Sequence, residues 1–475
     1  MDSMVTIHWF RQDLRLVDNP SLFDAAAKGL VIPVYILDDV NSGIYKMGAA
    51  SRCWLHHSLV ALNSSLKGQL LVFSGDPELI LCQLIEKYNV RAVNWNRCYE
   101  PWRIARDMRI KQHLTTKGVV VNSFNGSLLW EPWEILKSDK TPYRVFTPFY
   151  QSGCLNASKP RLPLVNPTPL KFFFKDSQSN QTTIDQLGLL PKNAWGLQMT
   201  AHWDIGEAAA HAQLDDFMSK GIFDYKEGRD FPAKNAVSKL STYLHFGELS
   251  PNQIWHAVYP QFSEINFDAF RRQVVWREFS YSLLYYNPSL PEVNLQRKFD
   301  SFPWVNDDKS LRLWQKGQTG IPIIDAGMRE LWQTGYMHNR VRMIVASLLV
   351  KNLLIDWREG ASWFWDCLID ADLANNSASW QWVAGTGADA APYYRIFNPV
   401  AQGQKFDPDG DYTRRYVPEL KLLPNKYLFN PWEAPKEILS AAGVNLGVNY
   451  PCPIVDLKSS RVRALELFKQ LNVAQ

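Results

Sequence analysis

The sequence predicts an N-terminal α/β domain with a doubly wound parallel sheet, joined by a long linker to a larger all-α domain. Three observations predict this arrangement. Short β-branched segments alternate with helical patterns in residues 1–136. A stretch rich in Pro, Ser, Asn and Lys, typical of a linker, follows at 137–202. Helical periods then dominate 203–475, where strand patterns are scarce.

Five short apolar segments of the first domain have the length and composition of buried strands. Helical patterns separate them, including Ser51–Leu66 and one opened by Asp76 and Pro77, a capping residue followed by a residue suited to the first turn. No glycine-rich phosphate-binding motif follows a strand, so no nucleotide site is predicted there. The segments are Val5–Trp9, Val31–Leu37, Leu70–Phe73, Ala92–Trp95 and Val119–Val121.

The composition is that of a globular protein with an unusual share of tryptophan. The chain has 475 residues, enough for two or three domains with sizeable cores. It contains 19 Trp, and indole rings both fill cores and stack on nucleic-acid bases. The net charge of +4 does not indicate a nucleic-acid partner, so any DNA-binding surface must be a local basic patch.

The cysteines and the N-terminus indicate a cytoplasmic protein. The six Cys are scattered without metal-type spacing, which predicts reduced thiols and no metal site. Arg11, Asp13 and Arg15 interrupt any secretory signal. No apolar stretch approaches the roughly 18 residues that a membrane helix needs.

Residues 335–343, with the sequence GYMHNRVRM, combine an amide, two guanidinium groups and two thioethers. A helix is expected because Gly335 precedes the run and apolar residues continue it to Val350. Asn339 and Met343, four positions apart, then share one helix face.

Residues 370–382, with the sequence DADLANNSASWQW, place two carboxylates beside an Asn pair and two Trp. A buried carboxylate pair needs a cation, and Arg342 is the natural candidate for Asp370 and Asp372. A surface ion pair and a helix cap would explain either segment alone. They explain the two segments together poorly. Core packing alone does not explain them either, because it would not select amide, guanidinium and carboxylate groups beside indole rings.

These ordered motifs resemble the photolyase/cryptochrome family, and within it bacterial DNA photolyases that act on cyclobutane pyrimidine dimers. The likeness runs from His8–Arg15, HWFRQDLR, to Asn449–Val455, NYPCPIV, and covers essentially the whole chain. It implies an antenna-chromophore domain at 1–136 and an FAD-binding and lesion-binding domain at 203–475.

The resemblance implies FAD as the cofactor. Matching positions for its phosphates are Tyr225 and the run Ser238, Lys239, Leu240 and Ser241; local sequence alone favours simple helix capping by Ser238 or Ser241. Val237 stands where the family usually has Thr, which leaves one phosphate hydrogen bond open. The other implied FAD contacts are Phe270, Gln273, Tyr336, Asn339, Arg342, Asp370, Asp372 and Asn376.

The resemblance also implies the route of electrons. Asn376 matches the residue near flavin N5, and an uncharged side chain there favours an anionic reduced flavin, hence repair rather than signalling. Trp380, Trp357 and Trp304 match a relay from the flavin to the surface, with Trp380 proximal and Trp304 exposed. Taken singly, each is more readily an ordinary core or surface indole.

The implied partner is damaged DNA with the lesion flipped into a pocket. Trp276 and Trp382 match the pocket walls, where stacking is worth about 1 to 3 kcal/mol per base. Asn339 and Met343 match the residues that act on the cyclobutane lesion. The positions implied to contact phosphate are Arg229, Arg277, Arg340 and Arg395.

Gln273 departs from this pattern and resembles the (6-4) photolyases. It stands where enzymes that repair cyclobutane dimers usually have Glu. A Gln can donate to a thymine carbonyl but cannot deliver a proton, so a lower repair yield or an altered lesion preference becomes an expectation.

The implied activity is light-driven electron transfer from reduced FAD to the dimer, ring splitting and electron return by a monomeric enzyme. An antenna chromophore, methenyltetrahydrofolate or deazaflavin, is expected in the first domain; Glu100 is its candidate contact, or an ordinary turn carboxylate. The alternatives are a cryptochrome that signals to a protein partner, a (6-4) photolyase and an electron-transfer flavoprotein without DNA binding. The ending at Gln475 without a long polar tail favours repair over signalling.

Overall fold

The computed structural model describes residues 4–175, 183–258, 264–393 and 395–473. The chain packs into two compact units. The first unit comprises Met1–Phe223 and Ser238–Pro288, and the second unit comprises Asp224–Val237 and Ser289–Gln475. The domain boundaries expected at residues 136 and 203 stay a prediction.

A parallel sheet forms the centre of the first unit. Its strands in the described residues are β1 (Met4–Phe10), β2 (Gly29–Leu37), β3 (Leu71–Ser74), β4 (Ala92–Asn96) and β5 (Val120–Phe124). They pair in parallel in the order β3-β2-β1-β4-β5. The chain adds β2 and β3 on one side of β1 and then β4 and β5 on the other side, as in doubly wound folds. The predicted fold class is confirmed, and each strand lies within a few residues of its predicted segment.

Four helices connect the strands. They are α1 (Pro20–Lys28), α2 (Ala49–Ser65), α3 (Pro77–Tyr88) and α4 (Pro101–Thr116). Side chains cap the first and third of them, Asn19 for α1 and Asp76 for α3. The carboxylate of Asp76 accepts a hydrogen bond from the backbone N–H of Glu78, 3.0 Å away, so the predicted cap of α3 is confirmed.

Helices make up most of the remaining described chain, as predicted. In chain order they are α5 (Phe146–Pro148), α6 (Trp195–Thr200), α7 (Glu207–Ser219), α8 (Tyr225–Gly228), α9 (Ser241–Phe246), α10 (Pro251–Ala257), α11 (Glu264–Tyr286), α12 (Asp308–Gln315), α13 (Pro322–Thr334), α14 (Asn339–Ser347), α15 (Trp357–Cys367), α16 (Leu373–Ala384), α17 (Pro399–Phe406), α18 (Asp411–Tyr416), α19 (Asn425–Leu428), α20 (Lys436–Ala441) and α21 (Leu457–Val473). Short π-helical turns follow α5 at Phe149–Gly153 and α14 at Leu348–Asn352.

The expected linker at 137–202 packs closely on the first unit. Phe172 forms an isolated parallel bridge with Val31 of β2. Phe146 and Tyr150 are buried, although the sequence placed them on a surface segment. Residues 176–182 of the expected linker lie outside the described residues.

Each unit has its own apolar core. The sheet buries Trp9 and Trp95 in the first unit, and α13 to α16 bury Trp314, Trp357 and Trp380 in the second. All six cysteine side chains are free thiols. Within the described ranges, no helix is long and apolar enough to cross a membrane.

Candidate functional site

Helix α14 begins at Asn339, and Gly335 plays a different part from the one expected. Gly335 adopts a left-handed conformation, φ 66°, and ends α13. His338 caps α14, since its Nδ1 accepts a hydrogen bond from the backbone N–H of Arg340 at 3.2 Å. The Asn339 amide nitrogen lies 4.0 Å from the Met343 sulfur, so the predicted shared face is confirmed.

Arg342 of α14 forms the predicted ion pair with Asp370. Its Nη2 lies 2.9 Å from Asp370 Oδ2, and its Nε donates to the carbonyl of Met337. The Asp370 side chain is only 4% exposed, so this is a buried pair rather than the surface alternative. Burial disfavours the guanidinium charge, but the adjacent carboxylate outweighs it and raises the pKa of Arg342. The guanidinium also lies 5.3 Å from the Tyr336 ring centroid.

Asp372 and Asn376 lie on the first turns of α16. Asp372 caps the helix, accepting hydrogen bonds from the backbone and side-chain N–H groups of Asn375, both at 2.8 Å. The Asn376 side-chain amide donates to the carbonyl of Ala361 on α15 at 3.0 Å. Helix α15 therefore fixes the orientation of the uncharged group that the resemblance places near the flavin.

The three tryptophans of the expected relay all contact the core of the second unit. Trp380 is buried four residues after Asn376 and packs edge-on against Phe364. Trp357 is fully buried, and its indole N–H donates to Asn294 at 2.9 Å. Trp304 is only partly buried. Trp304 is thus the most exposed of the three, as expected for the outer end, while the relay itself stays a prediction.

Close approach of α15 and α16 depends on one glycine. A Cβ atom at Gly360 would lie 2.1 Å from the ring of Trp380, a distance that no real contact tolerates. A larger residue there would displace Trp380 and, through α16, Asn376.

The arginines expected to contact phosphate differ in their surroundings within the second unit. Arg340 pairs with Asp230 at 2.7 Å and lies over the Phe406 ring. Arg229 lies 5.7 Å from the ring centroid of Tyr225, whose pKa burial raises to about 12. The side chain of Arg395 is exposed, whereas Trp382 is partly buried on α16.

The sequence analysis missed Lys351. It is buried in the π-helical turn, and its ammonium donates to the backbone carbonyl of Arg395 at 3.1 Å and lies over the Tyr393 ring. It has no carboxylate partner in the described part of the chain. Burial, with a smaller contribution from Arg395, lowers the pKa of Lys351 to about 7. Lys351 therefore holds the segment that carries Arg395.

Lys351 is expected to make stability depend on pH. The unfolded chain binds this proton up to its ordinary pKa of 10.5, whereas the folded chain releases it near 7. Stability therefore rises with pH between these values and is lowest, as far as this group is concerned, below pH 7. The free energy of unfolding of Lys351→Met, relative to that of the parent, should therefore be highest at pH 7 and fall progressively toward pH 10. Denaturant unfolding measures this difference.

A matched control is Lys298→Met, because Lys298 contacts the rings of Phe299 and Phe468 but is only partly buried. Its difference in stability from the parent at each pH gives the reference for removing an ammonium that is only partly buried. A difference between Lys351→Met and the parent that is constant over this range would contradict the buried titration.

In the first unit, the segment expected to hold phosphates departs from simple helix capping. Leu240 precedes α9 and has no side-chain acceptor. Ser238 Oγ accepts only a long hydrogen bond, 3.4 Å, from the N–H of Leu240. Lys239 adopts a left-handed φ of 53°, unusual for a residue other than glycine. Simple capping of α9 by its N-cap side chain is therefore absent in the described residues, and phosphate binding by this segment stays a prediction.

Helix α11 of the first unit carries four of the predicted residues. Phe270 is buried against Phe217, and Gln273 donates to the carbonyl of Ala269 within the helix. Trp276 is partly exposed. The Arg277 side chain is only 10% exposed, with its guanidinium donating to the carbonyl of Ser127 and adjoining Glu278. A contact of Arg277 with phosphate stays a prediction, and its present bonds stabilise the first unit.

Glu100, the candidate antenna contact, is a buried carboxylate in the bend that precedes α4. It lies 3.3 Å from Arg103 and does not cap α4. Its contact with an antenna stays a prediction.

Comparisons with known proteins agree with the geometry. Residues 6–168 match the family model described as DNA photolyase, and residues 270–470 match the FAD binding domain of DNA photolyase. A deoxyribodipyrimidine photo-lyase of Agrobacterium fabrum is 49% identical over 97% of each chain. Cryptochrome-2 of Arabidopsis thaliana is 37% identical over 99% of this chain and 79% of its own.

A solved structure shows the same fold. The crystal structure of a bacterial class III photolyase from Agrobacterium tumefaciens superposes with a TM-score of 0.95, at 47% identity over 99% of this chain and 98% of that one.

Proposed function

The chain belongs to the DNA photolyase family, and on that premise we propose that it is a deoxyribodipyrimidine photo-lyase, which uses light to split cyclobutane pyrimidine dimers in DNA. The observation that carries this proposal is the face of α14. It presents Asn339 and Met343 together and, one residue before Met343, Arg342 in a buried pair with Asp370. This face combines the groups for a flavin and for a dimer on one rigid helix.

The donor set fits FAD. Arg342, fixed by Asp370, would balance the charge of a reduced flavin, and Asn376, fixed by Ala361, would meet it with a neutral amide. The N–H groups at the start of α9, with Ser238 and Ser241, would hold phosphate oxygens. Bound FAD in its reduced form would supply the light-driven electron. The side chains named here bind and orient it and set its charge balance.

The proposed partner is DNA with the dimer turned out of the helix. In the second unit, Trp382 would stack on a base of the dimer, and Arg229, Arg340 and Arg395 would neutralise phosphates. In the first unit, Trp276 would offer a stacking surface of its own. Because Gln273 replaces the usual Glu, its amide would orient a thymine carbonyl through a hydrogen bond. It would not transfer a proton to the dimer. We further propose that the protein acts on DNA as a monomer in the cytoplasm. A folate or deazaflavin antenna would bind near Glu100.

Trp380→Phe is expected to slow the photoreduction of bound FAD at least tenfold, because phenylalanine is much harder to oxidise than tryptophan. FAD content should not change. The measurement is the loss of oxidised-flavin absorbance under blue light with an external reductant.

Trp314→Phe is the matched control. Trp314 is fully buried in the same core and lies 6.3 Å from Trp380, but it matches no position of the relay. It should photoreduce at the parent rate. Equal rates for Trp380→Phe and the parent would remove Trp380 from the relay.

The experiment that tests the proposed function is irradiation of the purified, reduced protein with an oligonucleotide that contains one cyclobutane dimer. Repair in the light and none in the dark would support it. Without any repair, a protein whose FAD is still photoreduced would be assigned to the cryptochromes, a class to which a 37% identical relative belongs.

A further inference from the structure

One face of Trp276 is covered by an aromatic ring from the segment that the sequence placed in the linker. Phe146 stacks on the Trp276 indole with a centroid distance of 3.9 Å and an interplanar angle of 8°. Phe146 is buried, whereas Trp276 is partly exposed. Phe146 thus takes one face of the indole and Phe279 meets it edge-on at 5.6 Å, so the exposed part of the ring is left for a ligand.

The covering ring is itself held by a second one. The Tyr150 ring is parallel to Phe146 within 2°, at 6.0 Å, and Tyr150 follows Phe146 by one helical turn. The Tyr150 hydroxyl donates to Asp268 on α11 at 2.6 Å. Burial and this carboxylate raise the pKa of Tyr150 to about 12, so the hydroxyl keeps its proton and stays a donor.

The face of α11 that contacts Phe146 and Tyr150 carries side chains at the same four-residue spacing as these two rings. Asp268, Arg272 and Trp276 are four residues apart and share that face. The Arg272 guanidinium lies 4.9 Å from the Tyr150 ring centroid and donates to Asp268 at 2.7 Å. Two rings of one segment thus lie against two side chains of α11, and this registration fixes the plane of Trp276.

A fixed plane matters because stacking on a base needs a wall in the right orientation before the base arrives. An aromatic pair contributes stabilisation beyond the apolar area that it buries. Holding a side chain in its bound rotamer also removes an ordering cost that binding would otherwise include. A flat ring behind Trp276 serves this purpose, whereas an aliphatic side chain of similar size would let the indole tilt.

We propose that Phe146 is a positioning residue for lesion recognition, which holds the Trp276 indole so that its open face receives the flipped-out pyrimidine dimer. This inference rests on the proposed function, in which Trp276 is a wall of the lesion pocket. Phe146 acts through Trp276 and does not itself touch the DNA.

The test compares Phe146→Leu with Phe149→Leu. Phe149 is buried in the same segment but packs against Phe279 and Tyr143 instead of Trp276. Dissociation constants are measured in the dark by fluorescence anisotropy, for duplexes with and without one cyclobutane dimer, and melting temperatures are recorded in parallel. Phe146→Leu is expected to lose about three- to tenfold in the preference for the damaged duplex. Phe149→Leu should lower the melting temperature without changing that preference.

Two further variants keep the outcomes distinct. Phe146→Met, also without a flat ring, should repeat the loss if Phe146→Leu does not fold. Trp276→Ala tests the pocket itself: retained preference in this variant would refute the lesion-pocket assignment. A lost preference in Trp276→Ala together with parental preference in the Phe146 variants would overturn only the positioning role.

Discussion

Arg342→Met is expected to give a protein that no longer retains FAD and is about 3 kcal/mol less stable. The substitution removes the cation beside Asp370, and that carboxylate is only 4% exposed. Removing one partner of a buried pair costs about 3 to 5 kcal/mol, and the low end applies because the Arg342 side chain is 24% exposed. Urea unfolding and the flavin absorbance of the purified protein measure the two effects.

The double variant Arg342→Met with Asp370→Asn separates stability from cofactor binding. It also removes the buried carboxylate charge that has lost its cation, so much of the stability should return, while FAD retention should not. A control is Arg358→Met, which breaks a more exposed pair with Asp356 and should cost less than about 1 kcal/mol. Full FAD retention by the double variant would show that the pair serves only the fold.

Trp382→Ala is expected to weaken binding of DNA that contains a dimer roughly tenfold to a hundredfold, with little effect on intact DNA. The reason is the loss of stacking on an unpaired base, worth about 1 to 3 kcal/mol. FAD content and photoreduction should not change, because α16 keeps Asn376 and Trp380. The measurement is the dissociation constant for both duplexes in the dark.

Trp133→Ala is a suitable control for this prediction, since Trp133 is a 44% exposed indole that matches no pocket position. It should bind both duplexes as the parent does. If Trp382→Ala bound damaged DNA with parental affinity, Trp382 would not be a wall of the pocket.

Local signals predicted the sheet well. Each strand is an apolar segment between turn signals, and Asp76 with Pro77 marks the start of α3. Both were predictable because helix caps and buried parallel strands depend on residues that are neighbours in sequence. The pairing of Arg342 with Asp370 was also predictable, since a buried carboxylate needs a cation.

Features set by tertiary packing were not predictable. Lys351 directly follows an apolar run, and a Lys is usually expected on the surface of a helix. In the structure it is buried, and its ammonium donates to the carbonyl of Arg395. Phe146 lies in a segment with the composition of a linker, and only the folded chain brings its ring onto Trp276. Gly335 precedes α14 in sequence, but its left-handed conformation ends α13 instead. In each case the deciding partner is distant in sequence or the backbone conformation is not set by residue type alone.

The most direct test of the central claim is repair by the purified, photoreduced protein under near-ultraviolet or blue light without oxygen, with oligonucleotides that carry one cyclobutane dimer or one (6-4) product. The account predicts light-dependent reversal of the cyclobutane dimer only, which would show that Gln273 is compatible with this activity. Reversal of the (6-4) product alone, or of neither lesion while FAD is still photoreduced, would contradict it.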